Sequence, residues 1–94
     1  MDGFEWDPKK NAANMQKHGL SFEEAVSIFT GPVLTGPDEN AEEYREKSFG
    51  LLGGSVVICV VHTDRNGKTR IISARKATSS ERKYFDAYLK NALN

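Results

Sequence analysis

The side chains able to do chemistry concentrate in the stretch Arg70 to Tyr88, R-I-I-S-A-R-K-A-T-S-S-E-R-K-Y-F-D-A-Y. Arg75 and Lys76 close a segment of strand-like alternation, in which Ile71, Ser73 and Arg75 share one face and Arg70, Ile72, Ala74 and Lys76 the other. Arg82 and Tyr84 follow on a segment of helical spacing, where Phe85, Tyr88, Leu89 and Ala92 form an apolar stripe. Between them, Thr78-Ser79-Ser80-Glu81 has the form of a capping box that starts the helix. Guanidinium groups and a phenol meeting at one strand-to-helix corner suit an anion, and guanidinium forks match phosphate oxygens in particular. Arg75 shares its predicted face with Ile71, so it is expected to be half-buried. Such an arginine calls for a bound anion or a carboxylate, with Glu81 and Glu43 the candidates.

Other chemistries find less support. His18 and His62 stand far apart, and no H-x-x-x-H, C-x-x-C or D-x-D spacing offers a metal site. No cofactor motif is present either: the glycines from Gly50 to Gly54 lead into a strand and lack a P-loop lysine. Cys59 lies within the apolar run Val56 to Val61 and reads as inert core. Asn14-x-x-Lys17-His18-Gly19 has two readings. It is a helix end where Lys17 and His18 oppose the dipole, or an exposed pair that holds a phosphate and moves a proton.

The elements that must position these groups follow from the rest of the chain. Asp7-Pro8 starts a first helix carrying Ala12 and Met15, and Gly19 ends it. Ser21-Phe22-Glu23-Glu24 caps a second helix with Phe22, Ala25, Val26 and Phe29 buried, stopped by Gly31-Pro32. Residues 44–52 alternate, setting Arg45, Lys47, Phe49 and Leu51 against Tyr44, Glu46 and Ser48. Gly53-Gly54 then makes a two-residue turn into a central strand, and Asn66-Gly67 turns into the strand of Arg75. Phe4-Glu5-Trp6 forms a short first strand or a clamp, and residues 33–40 a surface connection with room for an edge strand. The predicted class is α+β: two N-terminal helices, an antiparallel meander of three or four strands, and a C-terminal helix, in one domain spanning 1–94.

Composition bounds the partners. Thirteen basic residues balance thirteen acidic ones. Even so, Arg65 to Lys83 holds seven Lys or Arg against one Glu, and Asp38 to Glu43 holds four acids and no base. A basic face inside a neutral total is therefore expected. A single cysteine, an N-terminus without a basic and apolar leader, and no long apolar run predict a cytoplasmic protein without a membrane partner.

Taken in order, five segments resemble the BrnT family of toxins from type II toxin–antitoxin systems. They are Phe4-Glu5-Trp6-Asp7-Pro8; Asn14-x-x-Lys17-His18-Gly19; Ser21-Phe22-Glu23-Glu24-Ala25; Arg45 followed by Gly50; and Arg70 to Ala77 with Glu81-Arg82. The resemblance implies a RelE-like fold and a metal-independent ribonuclease that inhibits translation and arrests growth. It also implies a BrnA-like antitoxin through which operator DNA is reached only indirectly. By matching position it implies site roles for Lys17, His18, Arg45, Arg70, Arg75, Glu81 and Arg82, and more loosely Tyr84, with His18 and the arginines catalytic and Lys17 and Tyr84 on the RNA. Glu43, close to Arg45, and Lys76, next to Arg75, are added as a catalytic and an RNA-binding candidate. Arg75 with Arg70 or Arg82 would hold the phosphate, and His18 or Glu43 would move the proton. One departure stands out: Tyr44 precedes Arg45 where the family often has Glu. A different class of function, a non-catalytic domain whose basic corner holds an acidic partner protein, fits the neutral charge as well. Direct binding to operator DNA has no helix-turn-helix to support it.

Overall fold

The computed structural model describes residues 3–92, so the two residues at each end of the expected 1–94 domain lie outside the described part. Strand β1 (Phe4–Glu5) leads into helix α1 (Pro8–His18), then α2 (Phe22–Ala25), which continues as a 3₁₀ helix (Val26–Thr30). Strands β2 (Leu34–Pro37), β3 (Glu46–Leu52), β4 (Val56–Arg65) and β5 (Lys68–Lys76) follow, and helix α3 (Ser79–Ala92) closes the chain. The sheet order is β1-β5-β4-β3-β2. The class is α+β as expected, but the sheet is mixed rather than a pure meander. β2 to β5 are antiparallel neighbours, whereas β1 joins β5 in parallel. The crossover through both N-terminal helices and three strands makes that parallel pairing possible, and a two-residue strand carries no sign of its direction.

Local chemistry accounts for the helix boundaries. The Asp7 carboxylate accepts from the Lys9 N–H at 2.8 Å, Pro8 occupies the first turn, and Gly19 at φ 73° returns its N–H to Met15. Ser21 and Glu24 exchange the two bonds of a capping box. Thr78 and Glu81 do the same ahead of α3, at 2.8 and 3.2 Å.

The buried side of α1 is polar. Met15 and Ala12 are exposed, and Asn14 is buried with Asn11 and His18 half-buried on the same stripe. Asn14 donates to the Leu20 and Ala74 carbonyls and accepts from the Ala74 N–H. Asn11 donates to Glu23 and accepts from the Phe22 N–H. An apolar stripe is therefore unnecessary: α1 is fastened by amides, and Asn14 takes the place of a neighbouring strand where β1 has ended.

A bulge decides which way β5 points. The register with β4 slips between Val61 and His62, pairing Val61 with Ser73 but His62 with Ile71. Ile71 and Ala74, three apart, both join the core with Phe22, Ala25, Ile28, Ile58 and Val60. Arg75 pairs with Cys59 instead, on the face opposite Ile71. The expectation that Arg75 shares the face of Ile71 assumed an unbroken alternation, and the bulge overturns it. That second face carries Val57, Cys59 and Phe49 and lies beneath α3, whose Phe85 is fully buried. Arg75 reaches the first turn of α3, and the Tyr88 hydroxyl donates to the Val33 carbonyl at 3.0 Å.

β3 keeps the expected alternation, and its buried face is the one with Ser48 and Gly50, which pair with the core residues Val60 and Ile58 and face the 3₁₀ helix. A side chain at Gly50 would place its Cβ 2.8 Å from the Ile28 Cβ. The 3₁₀ helix can sit this close to the sheet only over a glycine. The β3–β4 turn has three residues, Gly53, Gly54 and Ser55, rather than two, since Leu52 pairs with Val56. Both glycines have positive φ.

Candidate functional site

The sites expected from the sequence fall into three separate places. The first is an open cleft of about 170 Å³ lined by Lys10, Glu43, Tyr44, Arg45, Thr63, Arg65, Arg70 and Ile72. The two-residue Asn66-Gly67 turn fixes Arg65 opposite Lys68, and hence Thr63 opposite Arg70. Thr63 and Arg65 lie on one face of β4, with Arg70 across from them. The segment entering β3 brings Glu43, Tyr44 and Arg45 over this hairpin. The Thr63 hydroxyl donates to the Tyr44 carbonyl at 3.2 Å, and the Asp38 N–H donates to the Arg45 carbonyl at 2.8 Å. α1 runs along β5 in the same direction and contributes Lys10 from its first turns.

Four cations against one lining carboxylate make the cleft locally positive within a neutral chain. Arg70 is held at 3.0 Å by Glu5, one residue from the start of the parallel pairing. Arg45 is half-buried, and among the described residues no carboxylate lies within ion-pair distance of it. A half-buried guanidinium in that condition keeps its fork available to an anion from outside. Glu43 is exposed and supplies the one carboxylate of the lining.

The second place is the start of α3. Arg75 grips Glu81 through both nitrogens, at 2.8 and 3.1 Å, and a further N–H reaches the Lys76 carbonyl. The hydrogen bonds from Arg75 hold the Glu81 carboxyl down at about 2, with the bonds from Thr78 adding to the effect against burial. The same hydrogen bond raises Arg75. Arg82 and Lys76 are exposed nearby, and Tyr84, 72% exposed, borders an apolar groove with Leu34 and Phe49. The bulge places Arg70 and Arg75 on one face of β5, but five residues apart, roughly 15 Å along the strand. They are not brought to one phosphate.

The third place is the end of α1. Lys17 is exposed and His18 half-buried, two turns beyond Lys10, or about 10–12 Å along the helix. The structure thus unites Glu43, Arg45 and Arg70 and leaves Lys17, His18, Lys76, Arg75, Arg82 and Tyr84 elsewhere. Reasoning from sequence did not single out Lys10, Thr63, Arg65, Tyr44 or Ile72 as cleft residues. The hairpin register would have supplied Thr63 and Arg65, whereas Lys10 depends on how α1 docks.

Further observations bear on chemistry. Cys59 is fully buried and burial pushes its thiol up, which leaves it unreactive. A larger cavity, about 270 Å³ along α3, is lined by Leu34, Tyr84, Ala87, Tyr88 and Asn91 and has no arginine or carboxylate in its lining. Among the described residues no group of His, Cys, Asp and Glu is arranged to hold a metal ion, and no helix is long and apolar enough to cross a membrane.

Comparison with known proteins adds two findings. Residues 6–81 match the family model described as the ribonuclease toxin, BrnT, of type II toxin–antitoxin systems. The fold is similar to the crystal structure of the Brucella abortus ribonuclease toxin BrnT, with a TM-score of 0.62 and 25% identity, covering 79% of this chain and 94% of that one. No curated protein matches the chain.

Proposed function

This chain belongs to the BrnT family of ribonuclease toxins of type II toxin–antitoxin systems, and on that footing we propose that it cuts RNA in the Arg45 cleft without a metal ion. The observation that carries this reading is the half-buried Arg45 beside Arg65, Arg70 and Lys10, with Glu43 at the rim. The donor set suits a phosphodiester better than a divalent cation, because nitrogen cations outnumber the single lining carboxylate. A phosphate seated on Arg45 and Arg65 would have its negative charge spread over fixed donors, and each such donor contributes about 3 kcal/mol as charge builds. Glu43 takes the proton of the neighbouring 2′-hydroxyl as that oxygen attacks phosphorus. The bond to the 5′-oxygen breaks, leaving a 2′,3′-cyclic phosphate, and water in the open cleft protonates the departing oxygen. Arg70, already steadied by Glu5, orders the adjacent phosphate. His18 is too far along α1 to share this proton and serves the helix end instead.

A type II toxin implies a protein antitoxin. In this reading the partner is BrnA-like and carries the DNA-binding domain, so the toxin reaches operator DNA only through it. The toxin acts in the cytoplasm, where cleavage inhibits translation. Purified protein incubated with single-stranded RNA in EDTA is expected to generate cyclic-phosphate ends. Arg45→Ala and Glu43→Gln each lower the rate by about 10²-fold or more, and His18→Ala leaves it within a few-fold. Cleavage that requires an added divalent cation, or survives both cleft substitutions, overturns the proposal.

A further inference from the structure

We infer that Tyr44 is a stacking platform for an unpaired nucleobase, so that the cleft takes single-stranded RNA with one base laid on the phenol. The inference rests on the cleft reading above and adds a ligand group to it. Three observations carry it. Tyr44 is 70% exposed, while the aromatic rings of Phe22 and Phe85 are fully buried, so its ring contributes little to the core. It borders a cleft with four cations, although Glu46 and Asp64 lie near its phenol, whereas the other strongly exposed tyrosine, Tyr84, borders a mostly apolar groove whose one charged lining residue is Lys47. Its backbone is also held on both sides, by the Thr63 hydroxyl at its own carbonyl and by the Asp38 N–H at the next. A ring presented to solvent from a fixed main chain loses little freedom when a base settles on it. Aromatic faces beside a basic track are the means by which proteins hold single strands, since every base has a π-face. A duplex keeps its bases stacked on one another and offers none to Tyr44.

The test uses the whole chain and two non-cleavable probes: a 2′-O-methyl oligoadenylate and an abasic strand of equal length. Wild type is expected to bind the oligoadenylate at least about tenfold more tightly, the size of one base–aromatic stack. Tyr44→Ala removes that preference and leaves affinity for the abasic strand unchanged, while Tyr44→Phe keeps the preference. Tyr44→Ala also leaves the salt dependence of binding unaltered, and Arg45→Ala flattens it. An undiminished preference in Tyr44→Ala overturns the platform alone, provided Arg45→Ala weakens both probes. If Arg45→Ala weakens neither, the cleft reading falls and the platform with it.

Discussion

The Arg75 guanidinium and the Glu81 carboxylate face each other across the β5–α3 corner in a two-pronged pair, and Glu81 at the same time caps α3 through the Thr78 N–H. One carboxylate therefore ties the helix start to the strand. Arg75→Ala is expected to lower stability by about 1 kcal/mol, the scale of a partly exposed pair with good geometry, and to leave RNA cleavage intact below the melting transition. Loss of cleavage in a folded Arg75→Ala protein would return Arg75 to the site.

The same pair has an acid signature. Glu81 is held at about 2 against an ordinary 4.5, so it binds its proton more readily in the unfolded chain. Its contribution is complete above the unfolded value and is lost as pH falls from 4.5 toward 2. In Arg75→Ala the Glu81 carboxyl moves up toward its ordinary value. Urea titrations through that window should show the gap between wild type and Arg75→Ala narrowing as pH drops, and a constant gap contradicts the assignment.

His62 gives the chain a second pH limb, of different origin. It is buried, with Nε2 2.7 Å from the Ser48 hydroxyl, which meets Thr35 at 2.7 Å, and the Phe29 ring lies edge-on to it. Nδ1 has no partner, which favours the tautomer with the proton on Nε2. Burial pushes the imidazole down from 6.5, against the carboxylates of Glu46 and Asp64. A lowered histidine binds its proton more readily when unfolded, so stability is full above 6.5 and falls as pH drops below it. Melting temperatures of wild type should decline from about pH 7.5 to about pH 5 more steeply than those of His62→Gln.

Gly50 is a packing limit. Alanine there meets the Ile28 Cβ, an atom fixed to the backbone that no rotamer moves aside. Overpacking of this kind costs about 1–3 kcal/mol, or on the order of 5–15 °C in a domain of this size. Because Ile28→Val keeps the Cβ, the double variant should melt no higher than Gly50→Ala alone.

Much of the local architecture could be read from residue types. Asp7-Pro8, Ser21 with Glu24, and Thr78 with Glu81 start their helices as capping chemistry requires, and Asn66-Gly67 turns its hairpin in two residues. What stayed hidden depended on partners distant in sequence. Alternation alone assigned Arg75 to the face of Ile71, because a bulge at Ile72 leaves no mark in composition. The apolar residues of α1, Ala12 and Met15, give no hint that Asn11 and Asn14 do the fastening. The cleft itself joins a helix start, a strand entry and a hairpin, and only the register of the last was within reach of the sequence.

Asn14 has a consequence for solubility. Past Glu5 the main chain of β5 would otherwise present an open flank, and the amide of one side chain occupies it at Ala74 from both directions. Such flanks are where sheets of separate molecules zip together. α1 thus covers that flank at Ala74 against edge-to-edge pairing, and does so only for as long as it remains docked.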